Sequence, residues 1–284
     1  MRNELLPKQQ YFNFEERVLS DQQYDFFREF IATKTGIALG EGKHSLIENR
    51  LNSRLRLLGI DSYSDYIRIL KIPNSPEIAA FIDVLTTHTT HFFRENKHFQ
   101  ILKKVVCDDL SRKRQRITVW CAACSTGEEV FTIAIVLEDM RLTIPDFDYR
   151  ILATDISEQS IEQAGEGVYD KNAVADLDPG LLRKYFQRNS TGEKFRVKNV
   201  IRNKVKFRIH NLAEIHERPP MAFDVIFLRN VLIYFPENVI KIVARKMHAG
   251  LNVGGYLFIG HSETIGSSES LFENTDVSVY KKAT

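Results

Sequence analysis

The chain has 284 residues, 43% of them hydrophobic and 27% charged, and a formal net charge of +2. That length fits one large domain plus a smaller one, and the near-neutral charge excludes a global pull on nucleic acid or a membrane surface. Three cysteines do not make a disulfide framework, and no apolar run approaches the roughly 20 residues of a membrane span, so a soluble protein of a reducing, cytoplasmic compartment is expected.

The first ten residues lack the apolar stretch of a signal peptide, and residues 1–14 read as a loose arm. From residue 15 to 86 the pattern is helical. Tyr24, Phe27 and Ile31, and again Leu51, Leu55 and Leu58, recur at three- and four-residue steps, and glycines and prolines divide the region into four or five short helices. One of these helices carries Arg50, Arg54 and Arg56 against Glu48 alone. Such a strip is either a solvated face or a docking surface for an acidic partner.

Residues 86–95 are dense in hydroxyls, with His88 and His91 three apart and Thr90 and Arg94 four apart, a spacing that shares a helix face. No third ligand accompanies the two histidines at a fitting spacing, so no metal is expected.

From residue 87 to 284 strands and helices alternate. Strands are predicted at 117–121, 150–154, 205–210, 224–228, 255–260 and 277–281, with helices at 129–140, 158–164 and 237–250. This is an α/β, doubly wound, Rossmann-like sheet. Residues 173–203 break the rhythm. A helix at 179–186, a turn at Asn189-Ser-Thr-Gly192 and an alternating run to Val200 predict an inserted small antiparallel subdomain.

The stretch from Ile117 to Leu137 organises the rest. A β-branched run breaks into Ala122-Ala-Cys-Ser-Thr-Gly127 and restarts as a helix that Ser125 or Thr126 can cap, with Glu128 and Glu129 at its positive end. Strand, tight turn and helix N-terminus are how α/β sheets build nucleotide-type sites. The turn lacks Gly-x-Gly-x-x-Gly, which argues against a nicotinamide dehydrogenase. Cys121-x-x-Cys124 has no second pair to complete a zinc or redox site. Asp155 ends the second strand, where a carboxylate accepts ribose hydroxyls; Ser157 can cap the next helix and leave Asp155 free. Asn211, followed by Leu212, ends the third strand and can pair with an adenine edge. Arg229 and Asn230 end the fourth strand, where open sheets bind ligands, and Tyr234 follows.

Taken together, Thr90-His-Phe-Phe-Arg94-Glu95, Cys124-Ser-Thr-Gly-Glu-Glu129, Ala153-Thr-Asp155-Ile, Arg229-Asn-Val-Leu-Ile-Tyr-Phe235 and Gly260-His-Ser-Glu263 resemble the chemotaxis protein methyltransferase family, CheR. The resemblance runs from the helical part nearly to the C-terminus. It implies methyl transfer from S-adenosylmethionine to glutamate side chains on the cytoplasmic helices of chemoreceptors, leaving S-adenosylhomocysteine and glutamyl methyl esters. It places His88, Thr90, Arg94, Glu129, Asp155, Asn211, Leu212, Arg229 and Asn230 at the cofactor, with Glu129 facing the cationic methionyl end. From the chemistry of the step, Arg94 is expected to orient the acceptor carboxylate and Tyr234 to hydrogen-bond near the reacting centre, and the basic Arg50, Arg54 and Arg56 are the expected docking strip for acidic receptor helices. Family members often carry Asn at the position of His88, and many carry Pro-Tyr where this chain has Val130-Phe131. Some members grip a receptor's C-terminal tail on the small β-subdomain; the short turn at Ser190-Thr-Gly-Glu193 leaves that partner open. A monomer is expected.

A glutamate carboxylate is already ionised at neutral pH, so no general base is required, and catalysis reduces to positioning and exclusion of water. Two rivals share the fold. A nucleic-acid methyltransferase acting on amino nitrogen carries an Asn/Asp-Pro-Pro-aromatic turn after the fourth strand; here Pro219-Pro220 precedes that strand and Arg229-Asn-Val-Leu follows it. A non-catalytic cofactor-binding module has no need of Arg94 and Tyr234.

Overall fold

The computed structural model describes residues 18–40, 42–214 and 221–283; the arm expected at 1–14 and the Pro219-Pro220 pair lie outside them. The chain divides into two compact units. One holds the described residues up to Arg28 with Gly40–Leu85, the other Glu29–Leu39 with the described residues from Thr86 onward. A single cut near residue 86 does not anticipate that Glu29–Leu39 falls with the second unit.

The first unit is built from the start of α1 (Asp21–Thr35), with α2 (His44–Leu58), α3 (Tyr63–Leu70) and α4 (Glu77–Leu85). Ser62 caps α3 by accepting the Asp65 amide, and Gly59, in the left-handed region at φ 65, ends α2. Phe27 is fully buried, with the rings of Tyr63, Tyr66 and Phe81 within 6.2 Å of it.

The second unit carries a seven-stranded sheet among the described residues. In chain order the ten strands are β1 (Arg116–Cys121), β2 (Asp148–Asp155), β3 (Val168–Asp170), β4 (Phe186–Arg188), β5 (Lys194–Val197), β6 (Val205–Ile209), β7 (Phe223–Leu228), β8 (Leu251–Ile259), β9 (Glu273–Asp276) and β10 (Val279–Lys281). The large sheet runs β6-β2-β1-β7-β8-β10-β9, parallel up to β8 and antiparallel beyond it. Period-2 alternation divides its strands between two cores. Val119, Cys121, Val225, Phe227 and Phe258 face one, while Trp120, Ile226, Leu228, Leu257 and Ile259 face the other. Each such burial contributes about 1.5–3 kcal/mol before chain entropy is counted.

The connecting helices are α5 (Lys97–Val105), which runs through a π-turn into the short α6 (Ser111–Lys113), then α7 (Glu128–Arg141), α8 (Glu158–Glu166), α9 (Pro179–Tyr185), α10 (Asn199–Arg202) and α11 (Glu237–Gly250). Nearly every residue of α7 is buried, as expected of a helix covered on all sides.

The small sheet, β3-β5-β4, is antiparallel, with Gly192 in the left-handed region at φ 81 in its hairpin. It begins at Val168, before the predicted start at 173. At the C-terminal end, the strand predicted at 277–281 is β10, and β9 precedes it. All four side chains of β9 are polar and exposed, so no alternation betrays it. Among the described residues no helix is long and apolar enough to cross a membrane.

Candidate active site

In the order of the parallel strands, β1 has β2 on one side and β7 on the other, so the chain changes direction there. Ligands of open α/β sheets sit at the carboxyl ends of strands at such a point. The turn after β1 is pinned to both neighbours. The Ala122 amide donates to the Phe227 carbonyl (2.8 Å), Cys124 to Thr154 (2.9 Å), and Ser125 to Asp155 Oδ2 (2.8 Å). The chain enters α7 through Gly127 at φ 100, where an added Cβ would lie 2.7 Å from the Tyr169 hydroxyl and 3.0 Å from Ala164 Cβ. Neither predicted cap forms. Ser125 Oγ donates to the His88 carbonyl (3.0 Å) and Thr126 Oγ1 to Glu128 Oε2 (2.7 Å), so both hydroxyls are engaged away from the helix amides.

Asp155 is half-buried and is not left free by its neighbour. Ser157 does cap α8, accepting the Ser160 amide (3.0 Å), yet its own amide donates to Asp155 Oδ1 (3.0 Å). Burial pushes the Asp155 carboxyl up, against the amides of Ser157 and Ser125. The Ile156 amide also serves the carboxylate, which keeps acceptor capacity for a hydroxyl.

Across the turn lies a buried charge network centred on Arg229 at the end of β7. Its Nη1 donates to Glu129 Oε2 (2.6 Å); its Nη2 donates to the Arg94 carbonyl (2.7 Å) and to Glu95 Oε2 (3.0 Å). The guanidinium also lies 5.5 Å from the Phe99 ring centre, which stacks on Phe227, which stacks on Phe258. Glu95 further accepts from Asn230 Nδ2 (3.2 Å) and the His261 amide (3.2 Å). Burial acts to raise the Glu95 carboxyl, but the bond and charge of Arg229 outweigh it and hold it at about 2. For Glu129 the balance is reversed: burial outweighs Arg229 and the carboxyl sits above its usual range. Its second oxygen accepts the Cys121 thiol (3.4 Å), and Arg229 is one positive charge shared between Glu129 and Glu95.

Residues 86–96 are not a helix: a bend at Thr86 leads through an irregular run to a turn at 92–96, with Phe93 at φ 56 and Glu95 at φ 53. Thr90 and Arg94 therefore share no helix face, and His88 and His91 form no helical ligand pair. The anchors that bend this segment are Glu95 on Arg229 and the Phe93 amide on Thr132 Oγ1 (3.2 Å). The His88 ring is bracketed by Thr86 Oγ1 and Ser160 Oγ, each at 3.0 Å. Thr90 is half-buried. Arg94 is half-buried too, with Nη1 on the Thr89 carbonyl (2.9 Å). Tyr234 is half-buried at the end of the 3-10 turn Leu232–Tyr234. Leu212 is buried in the second core. Both ends of the Asn211 amide are engaged: Nδ2 caps the end of α1 at the Lys34 carbonyl (2.9 Å), and Oδ1 accepts the Ala213 amide (3.0 Å).

Arg50, Arg54 and Arg56 belong to the first unit and do not form one free strip. Arg54 makes a two-pronged pair with Glu77 (2.8 and 2.7 Å), which also accepts the Tyr66 hydroxyl. Arg50 donates to the Leu85 carbonyl (2.7 Å), and Arg56 alone of the three is exposed. Helical periodicity explains this: positions 50 and 54 lie on the face turned toward α4, position 56 on another.

Glu95, His98 and His261 place three donor atoms within 4.8 Å of one another. Two imidazoles and a carboxylate suit a transition metal. Here the Glu95 oxygen already serves the fixed guanidinium of Arg229, which opposes a second cation. Burial pushes the Cys121 and Cys124 thiols up, so neither is poised as a thiolate ligand. Glu95 and Glu263 stand in quoted motifs, yet no role follows from their local sequence, because Arg229 for Glu95, and Asn230 and Leu232 for Glu263, are far along the chain.

Residues 88–281 match the family CheR methyltransferase, SAM binding domain, and residues 22–86 match CheR methyltransferase, all-alpha domain. A chemotaxis protein methyltransferase of Borreliella burgdorferi is 38% identical over 87% of this chain and 89% of its own length. One from Salmonella typhimurium is 37% identical over 92% of this chain and 90% of its own length, and one from Escherichia coli 36% over 94% and 92%. With the sheet order, the pinned turn and the motif residues gathered at the strand ends, these matches establish that the chain belongs to the CheR family of S-adenosylmethionine-binding chemotaxis protein methyltransferases.

Proposed function

We propose that this chain methylates glutamate side chains on the cytoplasmic helices of chemoreceptors, giving carboxyl methyl esters, and that it works in the cytoplasm as a monomer. The observation that carries this reading is Arg94. Its backbone is fixed by Arg229, while its half-buried guanidinium spends one nitrogen on the Thr89 carbonyl and keeps other donors for a carboxylate.

The donor set fits the cofactor. Asp155 retains acceptor capacity for ribose hydroxyls, and the turn after β1 approaches it with small residues. When bound, S-adenosylmethionine supplies a methyl on a sulfonium, and its carbon–sulfur bond breaks as the new oxygen–carbon bond forms. No proton moves, so the chain's own residues have no acid or base to provide. Arg94 aligns the acceptor carboxylate, and the Tyr234 hydroxyl supplies a second hydrogen bond beside it. Because Arg94 also stabilises the ground-state anion, its benefit lies in orientation. Glu129 and Glu95 share the single positive charge of Arg229, and two carboxylates against one guanidinium leave the floor of the site acidic, which suits a sulfonium.

The test is methyl transfer from labelled cofactor to a receptor cytoplasmic fragment. Label should leave as methanol under mild alkali, because hydroxide attacks an ester carbonyl, and Glu→Ala at the acceptor should abolish incorporation. Label that survives alkali quantitatively would place the methyl on nitrogen and end this reading.

A further inference from the structure

Glu263 accepts four backbone amides. Its Oε2 takes Gly260 (2.6 Å) and Asn230 (2.7 Å); its Oε1 takes Leu232 (2.7 Å) and Ile233 (3.4 Å). Three of these donors lie in one turn, the chain from the end of β7 to Tyr234. Asn230 stands there in the left-handed region at φ 57, which Asn tolerates better than other side-chain-bearing residues. The amides it aims inward would be orphaned without an acceptor, and the Glu263 carboxylate meets them together. On the opposite side, Gly260 leaves the room required: an added Cβ would lie 2.6 Å from Glu263 Oε2 and 2.9 Å from Asn230 Nδ2. The Glu263 amide closes its own turn on the Gly260 carbonyl (3.0 Å). The carboxylate thus joins the ends of β7 and β8 under the segment that carries Tyr234.

We propose that Glu263 is a positioning residue for methyl transfer, acting through the turn from Asn230 to Tyr234 and setting the Tyr234 hydroxyl beside the acceptor carboxylate. The inference rests on the role of Tyr234 given above. The carboxylate oxygens of Glu263 are taken up by these four amides, so it acts through the turn.

Two variants test it. Glu263→Gln keeps the shape and one acceptor oxygen, so it can serve one side of the clamp; Glu263→Ala serves neither. Misplacing a reacting group by about 1 Å costs about 100-fold, so kcat should fall about 100-fold in Glu263→Ala and by less in Glu263→Gln. The KM for the receptor fragment should stay within about threefold, since docking surfaces are untouched. Amide exchange at Asn230, Leu232 and Gly260 should accelerate in both variants while β1 and β2 keep their protection. The deciding arm is a cycle with Tyr234→Phe. In that background Glu263→Gln should lower kcat by no more than about twofold, because the hydroxyl it positions is gone. Equal losses in both backgrounds would reduce Glu263 to a folding residue and overturn the proposal. So would full activity in Glu263→Gln despite faster exchange at the three amides. If Tyr234→Phe alone leaves turnover intact, the route through Tyr234 is wrong; an alkali-labile product from the unmodified chain would then still uphold carboxylate transfer. Should Glu263→Ala fail to fold, Glu263→Gln alone decides.

Discussion

At the scale of single residues, Asp155 and Glu95 show one side-chain chemistry in two settings. Asp155 is raised by burial against backbone amides and the nearby His88, while Glu95 is lowered to about 2 beside Arg229. Replacing Asp155 by Ala should weaken S-adenosylmethionine and S-adenosylhomocysteine alike by about 1–3 kcal/mol, the scale of a lost hydrogen-bonded charge, as titration calorimetry would read. Unchanged affinity would remove Asp155 from the site. Glu95 makes a pH-dependent prediction. Its folded value lies below the ordinary 4.5, so its contribution is fully present above that range and is lost as pH falls toward 2. Glu95→Gln should therefore flatten the loss of thermal stability across that window. Asp148 is held at about 2 as well, so the difference between variant and parent isolates Glu95. Glu95 was legible as part of a motif but not as a clamp. Its partner Arg229 lies 134 residues away, and no local pattern reports such a distance.

At the scale of elements, the buried parallel strands were plain in the sequence because both faces are covered and their residues form unbroken apolar runs. β9 was hidden because its residues face solvent throughout. The helix face that the spacing of Thr90 and Arg94 would share does not form, because the bend of this segment is imposed by tertiary partners, Arg229 and Thr132, and not by its own residues. The same limit applies to α2, where three arginines in sequence looked alike. Arg54 is spent on Glu77, so Arg54→Ala should cost about 1–3 kcal/mol of folding stability by leaving a buried carboxylate with only the Tyr66 hydroxyl. Arg56→Glu should leave stability unchanged, slow receptor methylation and flatten its salt dependence, because an exposed charge acts mainly through association. Denaturant unfolding and initial rates over a salt series separate the two. An Arg56→Glu variant that methylates normally at every salt concentration would make α2 a solvated face.

At the scale of the whole molecule, the cofactor should stabilise the fold by mass action. At a hundredfold excess over its Kd the gain is about 2.7 kcal/mol, and the same addition to Asp155→Ala should give a smaller shift in melting temperature. No shift in the parent chain would mean that the described strand ends do not bind it. The bonds that build this site have another consequence. Glu129 meets Arg229 across 100 residues, Glu95 meets Asn230 across 135, and Glu95 meets His261 across 166. Closing loops of that length is slow and requires both ends to exist. During synthesis, a ribosome adding about 5–20 residues each second will have made the entire turn after β1 well before Arg229 and Glu263 emerge. The growing polypeptide therefore carries Glu95 and Glu129 as two unmatched acids for several seconds, and methyl-transfer competence arrives as a late, all-at-once event near the end of translation.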